Sequence, residues 1–172
     1  ILNDPKGFEI GARHISISTS GLVPEIKKFA DMNTQVNLAI SLHASNDEVR
    51  NILMPINRKY NLASLIDSIS YYTTKTNRLV TLEYIMLKGI NDSIKDAQNL
   101  YELFKDNKLV FVNLIPYNKV SNKPYEQTNF KDVKAFSNCL MKLGIKTTIR
   151  KEFGSDIDAS CGQLRYNNLY KK

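Results

Sequence analysis

Cys161 lies in the run Gly154-Ser-Asp-Ile-Asp-Ala-Ser-Cys-Gly-Gln-Leu164, between small and polar residues and directly before a glycine. A lone cysteine on the apolar face of a helix or strand is ordinarily an inert small hydrophobe. Cys161 is on neither: Asp156, Asp158, Ser160 and Gln163 are polar, Gly154 and Gly162 break regular structure, and Arg150-Lys151 stand just upstream. The thiol can therefore be reached, and from these residues alone a chemical role and an idle surface thiol both stay open. Other side chains able to do chemistry are sparse. Glu83 in an apolar strand is suited to act as the base of a barrel lyase, or to be hydrogen-bonded inside a polar lumen, and the second reading is preferred. His43 and His14, taken singly, read as hydrogen-bonded structural histidines. Cys139, beside Phe136 and Leu143, reads as core. The loop from Pro116 to Thr128 interleaves Tyr117 and Tyr125 with Lys119 and Lys123, which suits base stacking and phosphate neutralisation and equally suits a solvated loop.

The elements that must position these groups alternate along the chain. His14–Thr19, Asn37–His43, Leu79–Met86, Val110–Ile115 and Ile145–Arg150 read as strands. Between them, Leu22, Ile26 and Phe29 recur at helical spacing, as do Leu62, Leu65, Ile66 and Ile69. Ile94, Ala97, Tyr101 and Phe104 follow a cap at Asp92-Ser93, and Phe130, Val133, Phe136, Leu140 and Leu143 end at Gly144. The stretch from Ala44 to Tyr60 reads as a loop. Strands alternating with helices predict a parallel sheet with helical crossovers. Each strand also keeps one polar face: His14, Ser16 and Ser18 in the first, Ala39, Ser41 and His43 in the second, Thr81 and Glu83 in the third, Asn113 in the fourth. A parallel strand covered on both sides would be apolar throughout, and the amphipathic helices must cover the apolar face, so a barrel-like curl with a polar lumen fits better than an open sheet with one solvated side. Ligands of such sheets sit beyond the C-terminal strand ends, here Ser18-Thr-Ser-Gly21, Ser41-Leu-His-Ala44 and Pro116-Tyr-Asn118.

Composition narrows the class. The chain has 172 residues, 42% of them hydrophobic, enough for the core of one domain. No stretch reaches the ~18 apolar residues of a membrane span, and the first residues lack the pattern of a signal peptide, so no membrane partner and a cytoplasmic location are expected. Two cysteines and two histidines offer neither a disulfide framework nor metal-ligand spacing. A net charge of +7 favours a polyanionic partner.

Six blocks then occur in order: Ser18-Thr-Ser-Gly21; Ser41-Leu-His-Ala44 with Asn46-Asp47-Glu48 and Arg50; Pro55-Ile-Asn-Arg-Lys-Tyr60; Glu83-Tyr-Ile-Met-Leu87 with Asn91-Asp92; Asn113-Leu-Ile-Pro-Tyr-Asn118; and the Cys161 run. Together they resemble the C-terminal part of the radical S-adenosylmethionine (SAM) RNA methyltransferases of the RlmN type, from about Gly11 to Leu164. The resemblance implies an α/β fold, a partial (β/α)6 TIM-like barrel over residues 1–152, with a C-terminal segment, 153–172, carrying the reactive cysteine. It implies that Ser18, Ser41, Leu42, His43 and Asn118 bind S-adenosylmethionine and that Cys161 carries the methyl group. It further implies a 4Fe-4S cluster, an electron donor to reduce it, and 23S rRNA, with tRNA as a second substrate.

The family's Cys-x3-Cys-x2-Cys loop, its Gly-Glu-Pro strand end and its N-terminal domain are absent from this sequence, so the cluster ligands are expected upstream. Ser160 replaces a common alanine and Phe153 a usual basic residue. The implied reaction is methylation of adenine carbon 2, a position without an electron pair for polar methyl transfer, by a radical route through methylated Cys161. Asp156 and Asp158 would oppose formation of its thiolate, whereas Arg150, Arg165 or a sulfonium would favour it. The alternatives are the carbon-8 methyltransferase of the antibiotic-resistance type, a barrel lyase using Glu83, and a non-catalytic RNA-binding module.

Overall fold

A computed structural model describes residues 1–119 and 123–150. In chain order the elements are β1 (Ser16–Thr19), α1 (Val23–Asp31), β2 (Asn37–Ser41), α2 (Asp47–Leu53), α3 (Leu62–Thr76), β3 (Val80–Met86), α4 (Ile94–Phe104), β4 (Val110–Pro116), α5 (Phe130–Leu143) and β5 (Lys146–Ile149). Short 3-10 turns occupy Ala12–His14 and Pro55–Arg58. All five strands are parallel and lie side by side in sequence order.

That order fixes which face is covered. Parallel neighbours joined by helical crossovers of one hand place every helix on the same side of the sheet. Leu38, Ile40 and Leu42, with Val80, Leu82, Tyr84 and Met86 and with Val110, Val112 and Leu114, are accordingly buried under the helices. Their alternates, among them Ser41, Thr81, Glu83, Ile85, Phe111, Asn113 and Ile115, are only partly buried. The polar faces read from the sequence therefore share one side, the concave side of a partial barrel. Ile17, on the helix side of β1, is 45% exposed because β1 is the edge strand of the sheet that the described residues form.

Local sequence explains where the elements begin and stop. Asn46, Asn61, Ser93 and Asn129 are N-caps whose side chains accept the amide three residues on, at 2.8, 3.0, 3.1 and 2.9 Å, each worth about 1 kcal/mol. Gly144 closes α5 at φ 99, a conformation that an L side chain resists.

Two expectations need correction. The stretch read as a loop after His43 contains α2 and the Pro55–Arg58 turn. With seven residues and Arg50 as its sole buried side chain, α2 shows no apolar stripe to detect, and only its Asn46 cap with Asp47 and Glu48 in the first turn marks it. His14 belongs to a turn before β1, exposed, since the register starts only at Ser16 opposite Asn37. Segment 153–172, with Cys161, lies outside the described residues.

Candidate functional site

The strand ends that carry the polar blocks are tied together by one buried cation. Arg50, fully buried on α2, donates from Nε to the Leu42 carbonyl (3.1 Å) and from Nη1 to Asn57 Oδ1 (2.7 Å). Its Nη2 reaches the carbonyls of Ser20 (2.9 Å) and Ser41 (3.2 Å). Burial pulls the guanidinium pKa below its usual value and Asp47 opposes this, but arginine stays charged. Asn57 in turn donates to Asp47 (2.7 Å) and Asn51 (2.9 Å), so the guanidinium fork is fixed at its far side too. Gly21 is required by this arrangement: its φ is +109 and a Cβ there would stand 3.0 Å from Arg50 Nη2. Thr19 Oγ1 holds the same turn by accepting from the Gly21 amide at 3.2 Å.

His43 follows in the left-handed region at φ 60. Its amide and that of Leu42 both reach the Glu83 carbonyl, at 3.3 and 3.0 Å. Its Nδ1 accepts from the Ile85 amide (3.2 Å), and its carbonyl accepts from Asn91 Nδ2 (2.8 Å). Asn91, fully buried, also bonds the Ile85 carbonyl and the Leu87 amide, at 2.7 and 2.8 Å, and so locks the end of β3 onto the end of β2. Burial, aided by the Arg50 charge and opposed by the Glu83 backbone bond, pushes the His43 imidazole down to about 4. At neutral pH it is uncharged with Nδ1 as acceptor, leaving Nε2 as a fixed N–H donor.

On the concave face, Ser41, Glu83, Asn113 and Thr148 are successive register partners across β2 to β5. Ser18 lies on that same face of β1, opposite Ala39. Asn113 Nδ2 donates to Glu83 Oε2 at 2.8 Å. The hydroxyls of Ser18 and Ser41 make no hydrogen bond among the described residues. Ile85 and Ile115, register partners on β3 and β4, supply apolar surface on the same face, with Phe111 opposite Thr81 nearer the start of β4. Such a face can hold a ligand with both donors and an apolar ring. Among the described residues no cluster of His, Cys, Asp and Glu could hold a metal.

The structure thus brings Ser18, Ser41 and His43 to one end of the sheet, and Asn118, two residues past β4, to the same end. Leu42 differs: its side chain is buried among the helices, so only its backbone faces the strand ends. Glu83 is held in the lumen as preferred from the sequence, and Cys139 packs partly buried against the core. Arg50 and Asn57 were missed as site-builders, although both stand in quoted blocks, because a buried polar side chain gives no periodic signal. A cavity of about 250 Å³ opens at the opposite end, lined among others by Tyr101, Phe104, Lys108 and Lys146, and takes no part in this site. No helix of the described residues is long and apolar enough to cross a membrane.

Residues 3–103 match the family model of the radical SAM superfamily. The chain is 52% identical over 169 residues to the probable dual-specificity RNA methyltransferase RlmN of Alkaliphilus oremlandii, covering 98% of this chain and 49% of that protein. It is 53% identical over 171 residues to the protein of the same description from Listeria welshimeri, covering 98% of this chain and 47% of that protein. The chain thus spans about half the length of the curated relatives it matches. A crystal structure of a radical SAM methyltransferase from Sphaerobacter thermophilus superposes with a TM-score of 0.90 at 42% identity, covering 95% of this chain and 48% of that one. A domain of pyruvate-formate lyase-activating enzyme from Bacteroides vulgatus shares the fold at a TM-score of 0.61 and 14% identity, covering 79% and 80%.

Proposed function

The chain belongs to the radical SAM superfamily, and from that membership we propose that it forms the C-terminal half of an RlmN-type RNA methyltransferase. The reading is carried by the identity to RlmN relatives across 98% of the chain. The polar lumen at the strand ends supports it independently. The protein carrying this chain then transfers a methyl group from S-adenosylmethionine to carbon 2 of an adenine in RNA, with 23S rRNA and tRNA as substrates.

Ser18, Ser41, His43 and Asn118 bind S-adenosylmethionine, with Leu42 contributing through its backbone. The lumen fits that ligand: two unpaired hydroxyls and the His43 Nε2–H meet its ribose and adenine heteroatoms, while Ile85, Phe111 and Ile115 provide an apolar floor. Cys161 acts as the methyl carrier. Its thiol gives up a proton, the sulfur takes the methyl group, and S-adenosylhomocysteine leaves. A 4Fe-4S cluster, its ligands in sequence upstream and its electron from a separate donor, supplies the reductive cleavage of a second S-adenosylmethionine.

The test is the modified nucleoside. RNA from cells lacking the protein should regain 2-methyladenosine when it is restored. Recovery of 8-methyladenosine, or of no methylated adenine, would contradict the reading. Ser18→Ala and Asn118→Ala should each weaken S-adenosylmethionine binding by the ~1 to 3 kcal/mol of a lost polar contact, read by calorimetry, with RNA affinity unchanged.

A further inference from the structure

We propose, building on the S-adenosylmethionine site above, that Glu83 is a further contact of that ligand, accepting a hydrogen bond from one of its O–H or N–H donors through Oε1. The side chain stands on the concave face of β3 with Ser41 as its register partner on β2. It is aimed: Asn113 Nδ2 holds Oε2 at 2.8 Å, while Oε1 has no hydrogen-bond partner among the described residues. The backbone at Glu83 is equally committed to the site. Its carbonyl receives the amides of both Leu42 and His43, and two residues on, the Ile85 amide is bound to His43 Nδ1. A side chain needed only to join β3 to β4 would be served by one oxygen. The second oxygen, on a half-buried side chain whose register partner is Ser41, is an acceptor without a donor among the described residues, in a site that also holds the Nε2–H of His43. Acceptors are what the donor groups of S-adenosylmethionine require: two ribose hydroxyls, the α-ammonium and the adenine amine. Glu83 contacts ligand under this reading; Asn113 is a positioning residue that acts through it.

The experiment uses the protein that carries this chain together with its cluster-binding segment, reconstituted, and measures ligand binding by calorimetry and thermal midpoint in parallel. Glu83→Gln keeps the volume but exchanges one acceptor oxygen for a donor amide. It should weaken S-adenosylmethionine roughly tenfold, with RNA affinity and thermal midpoint unchanged. Asn113→Ala, which leaves Glu83 in place but frees it, should weaken binding less, about threefold. A second ligand, 5′-methylthioadenosine, retains the ribose hydroxyls and lacks the ammonium. Loss with both ligands assigns the contact to the nucleoside, and loss with S-adenosylmethionine alone assigns it to the ammonium. Parent-like affinity of Glu83→Gln for S-adenosylmethionine overturns the proposal. If that variant does not fold, parent-like affinity of Asn113→Ala overturns it. Failure of the unsubstituted protein to bind S-adenosylmethionine overturns the function reading and this one together.

Discussion

A histidine at φ 60 with every backbone group engaged is held for its position, and the cost of that position is its protonation. His43 is depressed from 6.5 to about 4 by burial and by the Arg50 charge. Between those values the unfolded chain binds a proton that the folded chain does not, so the contribution of His43 to stability is full above about 6.5 and is lost as pH falls toward 4. The effect is at most roughly 3 kcal/mol. Thermal midpoints should therefore fall with acidification through this window, and the slope should flatten in His43→Asn, since asparagine tolerates the left-handed conformation and does not titrate there. An identical slope in both would show that carboxylates alone set the acid limit. The sequence placed His43 in the site through its block, whereas its tautomer and lowered pKa depend on Ile85 and Arg50, which only the folded chain brings near. Leu42 shows the converse: adjacency in a block does not tell which of two neighbouring side chains faces the concave side, because the strand alternation sends one into the core.

At the scale of elements, α2 holds the ends of β1 and β2. Its single buried side chain bonds three strand-end carbonyls and one side-chain amide. Arg50→Met would leave those acceptors unpaired, and a loss on the order of 3 kcal/mol is expected by denaturant unfolding. Arg50→Lys should recover little of it, since one ammonium cannot reproduce a planar fork with its donors fixed on opposite sides. Full recovery by lysine would reduce the role of Arg50 to its charge. Strands and long helices were legible because period-two and 3.6-residue patterns are written in apolar residues, and each observed strand lies within a residue or two of its predicted bounds. The helix α2 was not legible because its purpose is polar. Nothing in apolar spacing announces a helix that exists to deliver a guanidinium.

The described residues form one layer of helices on one layer of parallel strands, with a polar concave face that presents hydroxyls, the fixed His43 N–H donor and the Glu83 acceptor toward the strand ends. A parallel sheet of this order, with β1 and β5 at its edges, matches about half of a radical SAM methyltransferase at a TM-score of 0.90. If this face serves methyl transfer through Cys161, as proposed above, the run that follows β5 by a few residues in sequence should carry the methyl group in the cell. The most direct measurement is peptide mass spectrometry of the protein purified from cells. A Cys161 peptide heavier by one methyl group beside an unmodified Cys139 peptide is the predicted result, with methylated adenine lost in Cys161→Ala. An unmethylated Cys161 together with wild-type levels of methylated adenine in that variant would contradict the proposed role of Cys161.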